Sequence, residues 1–167
     1  YKAENQNVIA LKNKLGKTTA KVRLLDVEFE SPDPLLHTDV IAISGGNPYY
    51  LMHWLRKSGA DQIIKIRAST GIPIMATSAG AITLGSSLEL IDRFTPEMNV
   101  VNLVGKSGLG LLNKAVLPHY DRFLKNGIIQ KSVLIDYEND TGTDVIRIND
   151  HQAYLQIAQQ AKIIGKN

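Results

Sequence analysis

The chain has 167 residues, 44% of them hydrophobic and 21% charged, with a formal net charge of +3; this is enough apolar material for one core and too little length for two, so a single domain over residues 1–167 is expected. It contains no cysteine, which excludes a disulfide framework and thiolate metal ligands and fits a reducing compartment, making the cytoplasm the expected location. No run approaches the roughly 18 apolar residues of a membrane helix, and Lys2, Lys12, Lys14, Lys17 and Lys21 are dispersed as on a solvated helix face, so neither a membrane nor a nucleic-acid partner is expected.

In chain order, Val8, Ile9, Leu11 and Leu15 stand at near-helical spacing before Gly16 and predict a helix over 1–16. A strand follows over 22–27 and another over 39–43, running into Ser44-Gly45-Gly46-Asn47-Pro48. Helices are predicted over 49–57, with Pro48 suited to the first turn, and over 60–68. Gly71 closes the second of these. The apolar stretch 72–76 reads as a strand that delivers Ser78 to a helix over 79–86, and 91–107 is expected to be the least ordered stretch. Another apolar run, 115–117, precedes Pro118-His119-Tyr120. Near the C-terminus, 144–148, a turn at Asn149-Asp150 and 152–157 predict an antiparallel hairpin on the sheet's edge. Short apolar strands alternating with helices imply a parallel sheet covered on both faces, an α/β fold.

In such sheets the working site lies beyond the carboxyl ends of the strands. Ser78 sits where a strand meets a helix, between the small residues Ala76 and Gly80. That layout suits a nucleophile elbow, and equally a turn with a capping serine. Acyl transfer needs a hydroxyl, an imidazole to take its proton, a group that orients the imidazole, and donors aimed at the oxyanion. Ser78, His119 and the amides of Gly46 and Ala79 supply all of these except the orienting acid.

The ordered motifs Ser44-Gly45-Gly46-Asn47, Thr77-Ser78-Ala79-Gly80-Ala81, and Gly108 to Asn113 leading to Leu117-Pro118-His119-Tyr120-Asp121 resemble those of the peptidase E (aspartyl dipeptidase) and cyanophycinase family of serine peptidases. The similarity spans roughly residues 39–157. It implies a doubly wound, mostly parallel sheet like that of the class I glutamine amidotransferases. It also implies Ser78 as nucleophile, His119 as general base, and an oxyanion hole from Gly45, Gly46 and Ala79. The family's glutamate points to Glu138 as third member, with Asp92, Asp136 and Glu97 as rivals. The implied substrate is a short peptide, with an acidic first residue in the family's best-known branch, and no cofactor or metal is expected. Asn47 and Arg122 are the candidate substrate-binding residues.

Two departures from the family stand out. The arginine-rich segment expected after the histidine is replaced by a shorter stretch, 121–127, with Arg122, Lys125 and then Lys131 as its nearby cations. The family's leading strand or strands are also absent ahead of the first helix, so either missing leading residues or a homo-oligomeric partner is expected at that edge. A noncatalytic amidotransferase-like binding domain and a broad-specificity esterase share these motifs and remain the alternatives. His37 and His53 have no spaced partners for a metal site, and His151 sits at the expected hairpin turn. Gly105 to Gly110 does not meet the phosphate-loop pattern. Tyr49, Tyr50 and Trp54 read as core and crevice wall.

Overall fold

The computed structural model describes residues 6–166. Helix α1 (Gln6–Leu15) ends where the Gly16 amide donates to the Lys12 carbonyl at 2.8 Å; the first five residues of the predicted helix lie outside the described residues. The strand expected over 22–27 does not form. Asp26 is the reason: its side chain accepts from the Glu28 amide, its carbonyl accepts from the Phe29 and Glu30 amides, and its own amide donates to the Glu30 carboxylate. These local bonds curl the segment into a turn and occupy groups that a ladder would need.

Strand β1 (Ile41–Ile43) pairs in parallel with β2 (Ile74–Ala76), Ile41 opposite Ile74 and Ile43 opposite Ala76. Between them run α2 (Pro48–Ser58) and α3 (Ala60–Ser69). The start of α2 is specified locally: Asn47 accepts from the Tyr49 and Tyr50 amides, and Pro48 occupies the first turn, where it has no amide to leave unpaired. Its buried face carries Tyr49, Met52 and Leu55. Gly59, at φ 79°, stops α2 in the left-handed conformation that glycine adopts without a Cβ penalty, and α3 begins at the next residue.

The chain then forms α4 (Ala79–Leu84) directly behind β2, a short α5 (Glu89–Asp92), a 3-10 turn at Pro96–Met98 and an irregular stretch pinned by a bridge between Ser87 and Ser107. Strand β3 (Ala115–Pro118) is buried along its whole length and pairs in parallel with β4 (Val145–Ile148). The crossover holds α6 (Tyr120–Lys125) and α7 (Lys131–Thr141), the latter burying Leu134 and Tyr137 and ending at Gly142, φ 64°.

The C-terminal antiparallel hairpin is present but is built from other strands than expected. It joins β5 (Gln152–Ile157) to β6 (Gln160–Gly165) through a turn at Ala158, φ 52°. Residues 145–148 instead pair in parallel with β3, because Val145 and Ile146 are apolar on both faces and gain more by burial beside that fully buried strand than at an exposed edge. Asn149 and Asp150 are thereby not a hairpin turn but the exit of a parallel strand.

The apolar faces meet in one cluster that includes Tyr49, Met52, Ile64, Leu88, Leu90, Leu117, Leu134 and Tyr137. The result is an α/β fold in which the parallel strands and the helices around them share this core.

Candidate active site

Ser78 follows β2 and precedes α4 with φ 52° and ψ −121°, a conformation that costs a non-glycine residue of order 1–3 kcal/mol. The surroundings hold it there. The Thr77 amide donates to the Ile43 carbonyl at 3.1 Å, the Gly80 amide to the Thr77 carbonyl at 3.0 Å, and the Ile82 amide to the Ser78 carbonyl at 3.1 Å. Gly80 is required by contact: a Cβ there would lie 2.5 Å from the Ile43 carbonyl oxygen and 2.9 Å from that of Ser44. The helix therefore starts tight against the end of β1, and the serine is lifted out of the layer with its side chain half-buried.

His119 occupies the same position after β3 and also has positive φ, 60°. Its Nε2 lies 3.0 Å from Ser78 Oγ. Its Nδ1 is hydrogen-bonded to Asp150 Oδ1. A carboxylate only accepts, so the Nδ1–H donates to Asp150 and the Nε2 of the neutral ring accepts from the Ser78 hydroxyl. The hydrogen bond from His119 holds the Asp150 carboxyl below the usual carboxylate range, against a smaller opposing effect of desolvation, and the positive charge of Arg122 also lowers it. Asp150 is steadied in turn by its own amide, which donates to Asp121 Oδ1 at 3.1 Å. The Phe123 ring stands edge-on to the imidazole at 5.9 Å.

The carboxylate at the imidazole is thus Asp150, and the expectation of Glu138 is corrected. Glu138 lies within α7 and accepts from Arg147 Nη2 at 2.7 Å, Arg147 Nη1 at 3.0 Å and the Val145 amide at 2.9 Å. It ties α7 to β4, and the hydrogen bonds from Arg147 hold its carboxyl below the ordinary range. Of its rivals, Asp92 accepts from Tyr49 Oη at 2.5 Å and pairs with Lys106 at 3.2 Å; burial first, and then Asp92, push the Tyr49 phenol well up. Asp136 and Glu97 are exposed, on α7 and on the 3-10 turn. The signal for Asp150 was present in the sequence, since it follows a strand as Ser78 and His119 do, but a hairpin reading of 144–157 masked it.

The turn after β1 abuts the serine: a Cβ on Gly45 would stand 2.9 Å from Ser78 Cβ and 3.5 Å from Ser78 Oγ. Gly46 follows at φ 144°, and Ala79 is buried at the start of α4. Asn47 is committed elsewhere. Its Oδ1 caps α2 and its Nδ2 donates to the Met98 carbonyl at 2.6 Å, so its carboxamide serves the fold where substrate contact was expected. Arg122 is half exposed, with Nε 3.7 Å from Asp150 Oδ2, so its charge faces the aspartate. Beside Gly45 and Gly46 opens a cleft of about 170 Å³ whose walls include Asp26, Glu28, Tyr50 and Trp54; Tyr49, by contrast, is core. Among the described residues no group of three or more His, Asp or Glu side chains is arranged to hold a metal ion, and no helix is long and apolar enough to cross a membrane.

A family model described as peptidase family S51 matches residues 3–164. An uncharacterised peptidase of Listeria innocua is 30% identical over 152 residues, covering 89% of this chain and 71% of that protein. A protein named peptidase E from Shewanella oneidensis is 29% identical over 145 residues, covering 83% of this chain and 60% of its own length. An uncharacterised peptidase of Listeria monocytogenes is 29% identical, and the chain spans 65% of its length. The crystal structure of a protein given the name peptidase E from Listeria monocytogenes aligns with a TM-score of 0.79 at 25% identity, over 98% of this chain and 79% of that one. A peptidase from an acI-B1 Actinobacterium, at 21% identity and a TM-score of 0.68, has the same fold.

Proposed function

This chain belongs to peptidase family S51, and from that premise we propose that it is a serine-type peptidase hydrolysing short peptides through an acyl-enzyme on Ser78. The observation that carries the reading is the alignment of three groups: Ser78 Oγ 3.0 Å from His119 Nε2, with Asp150 on the opposite ring nitrogen. In the first step Ser78 Oγ attacks the substrate carbonyl while Nε2 takes its proton. Asp150 stabilises the resulting imidazolium and keeps the ring in the productive tautomer. The imidazolium then protonates the leaving amine, the C–N bond breaks, and the acyl group remains on Ser78. Water attacks the ester with His119 again as base, releasing the acid and restoring the serine.

The negative oxygen that forms twice in this cycle is assigned to the Gly46 and Ala79 amides, supported by the contact of the Gly45 turn with Ser78. Each such donor contributes about 3 kcal/mol to lowering the barrier. For the substrate, an acidic first residue finds little support at Arg122, whose guanidinium faces Asp150.

A fluorophosphonate probe tests the reading directly. Stoichiometric labelling at Ser78, located by peptide mass spectrometry, is expected, abolished in Ser78→Ala and strongly slowed in His119→Ala. Failure of the intact protein to label points instead to a noncatalytic binding domain. A dipeptide panel read against simple esters separates a peptidase from an esterase.

A further inference from the structure

The cleft beside Gly45 and Gly46 is walled by two carboxylates, Asp26 and Glu28, and two aromatic rings, Tyr50 and Trp54. The same Gly45 lies against Ser78, where a Cβ on it would stand 2.9 Å from Ser78 Cβ. A substrate whose carbonyl rests on that turn therefore has the cleft as its immediate neighbour. Among the described residues neither Asp26 nor Glu28 forms an ion pair. Glu28 is nonetheless held in place: its Oε2 accepts from Tyr50 Oη at 2.7 Å, and its amide donates to Asp26 Oδ1 at 3.2 Å. The Trp54 ring, tilted against Tyr50 at 6.3 Å, already carries the Lys57 ammonium 4.2 Å from its centroid, and the faces of such rings attract cations. Fixed carboxylates without a counter-ion, set beside aromatic faces in a concave site next to the nucleophile, match an organic cation and oppose an anion.

We propose that this cleft binds a cationic group of the peptide substrate, either the α-ammonium or the basic side chain of its first residue. The proposal rests on the serine-peptidase reading and reverses the charge of the first residue that the family resemblance implies. Lys57 does not line the cleft; its ammonium contacts the Trp54 ring.

The test begins with fluorophosphonate labelling of the wild-type protein, since loss of labelling overturns the peptidase reading itself and this proposal with it. Given labelling, kcat and KM are measured on dipeptides with Lys, norleucine or Asp first, each with a free or an acetylated amine. Exchange of Lys for norleucine isolates the side-chain charge, and acetylation isolates the α-ammonium. The expected result is a KM about tenfold lower or better when one of these charges is present, with Asp-first peptides the poorest. In Glu28→Gln, which keeps an acceptor for Tyr50, and in Asp26→Asn, the KM advantage shrinks by a similar factor while kcat moves less. Labelled enzyme that prefers Asp-first peptides, or whose KM ignores both charges, overturns the proposal.

Discussion

His119 holds a carboxylate on one ring nitrogen and a serine on the other, and the value of each contact is read by removing it. Asp150→Asn would keep the shape of the side chain but lets the imidazole adopt the wrong tautomer, so kcat is expected to fall by about 10³–10⁴-fold; hydrolysis of the best dipeptide measures this. Because the His119 hydrogen bond lowers the Asp150 pKa, the carboxylate stays ionised as pH falls through the ordinary range near about 4. The stabilisation from that contact is complete above the unfolded-state pKa and is lost only as pH drops through the lower folded value. In urea unfolding across pH, the stability difference between wild type and Asp150→Asn should accordingly survive to lower pH than an unperturbed aspartate would allow, which paired titrations will show. Glu138→Gln is the contrast. It weakens the ties to Arg147 and Val145 and is expected to cost about 1–2 kcal/mol in urea unfolding while labelling of Ser78 proceeds. Ser78 and His119 stand out in the sequence because each follows an apolar strand; Asp150 does not, because 144–157 reads as a hairpin with Asp150 in its turn.

Among elements, the join between β1, β2 and α4 is the most constrained. A methyl group on Gly80 would meet two backbone carbonyls, neither of which can swing aside as a side chain does. Gly80→Ala is expected to destabilise the protein by about 1–3 kcal/mol and to slow fluorophosphonate labelling, because relief of the clash moves Ser78 relative to His119. Urea midpoints and labelling rates on the same samples check both halves. Local signals served well here: Asn47 and Pro48 at the start of α2 and Gly59 at its end set that helix by short-range hydrogen bonds and backbone preference. The segment 22–27 shows their limit. Its composition suits a strand, yet the Asp26 side chain and carbonyl form a turn instead, and whether a ladder competes depends on a neighbour that sequence spacing does not name.

Across the whole molecule, burial is uneven. Strand β3 is enclosed throughout, whereas β6 is exposed at every position and Leu155, Ile157, Ile163 and Ile164 all show large apolar surface. Two strands paired mainly with each other have little core to hold them. Amides of β5 and β6 are therefore expected to exchange with deuterium through local opening well before those of β3 and β4, which should approach the global unfolding limit; hydrogen-exchange mass spectrometry separates the two hairpin strands from the central pair. Equal protection in both regions would show that the hairpin opens only with the core.

What the sequence determined alone was the α/β class and, to within a residue, the limits of α2 and α3, and it singled out the serine and histidine that the fold brings together, because helix caps, hydrophobic periodicity and strand exits are encoded by residues close together in the chain. Tertiary structure alone decided that 145–148 joins β3 in parallel, and that choice turned Asn149-Asp150 from a hairpin turn into the strand exit that meets His119. The reason is physical: strand partnership is settled by burial and pairing between segments some thirty residues apart, which compete for the same buried edge, and no local preference records which of them wins.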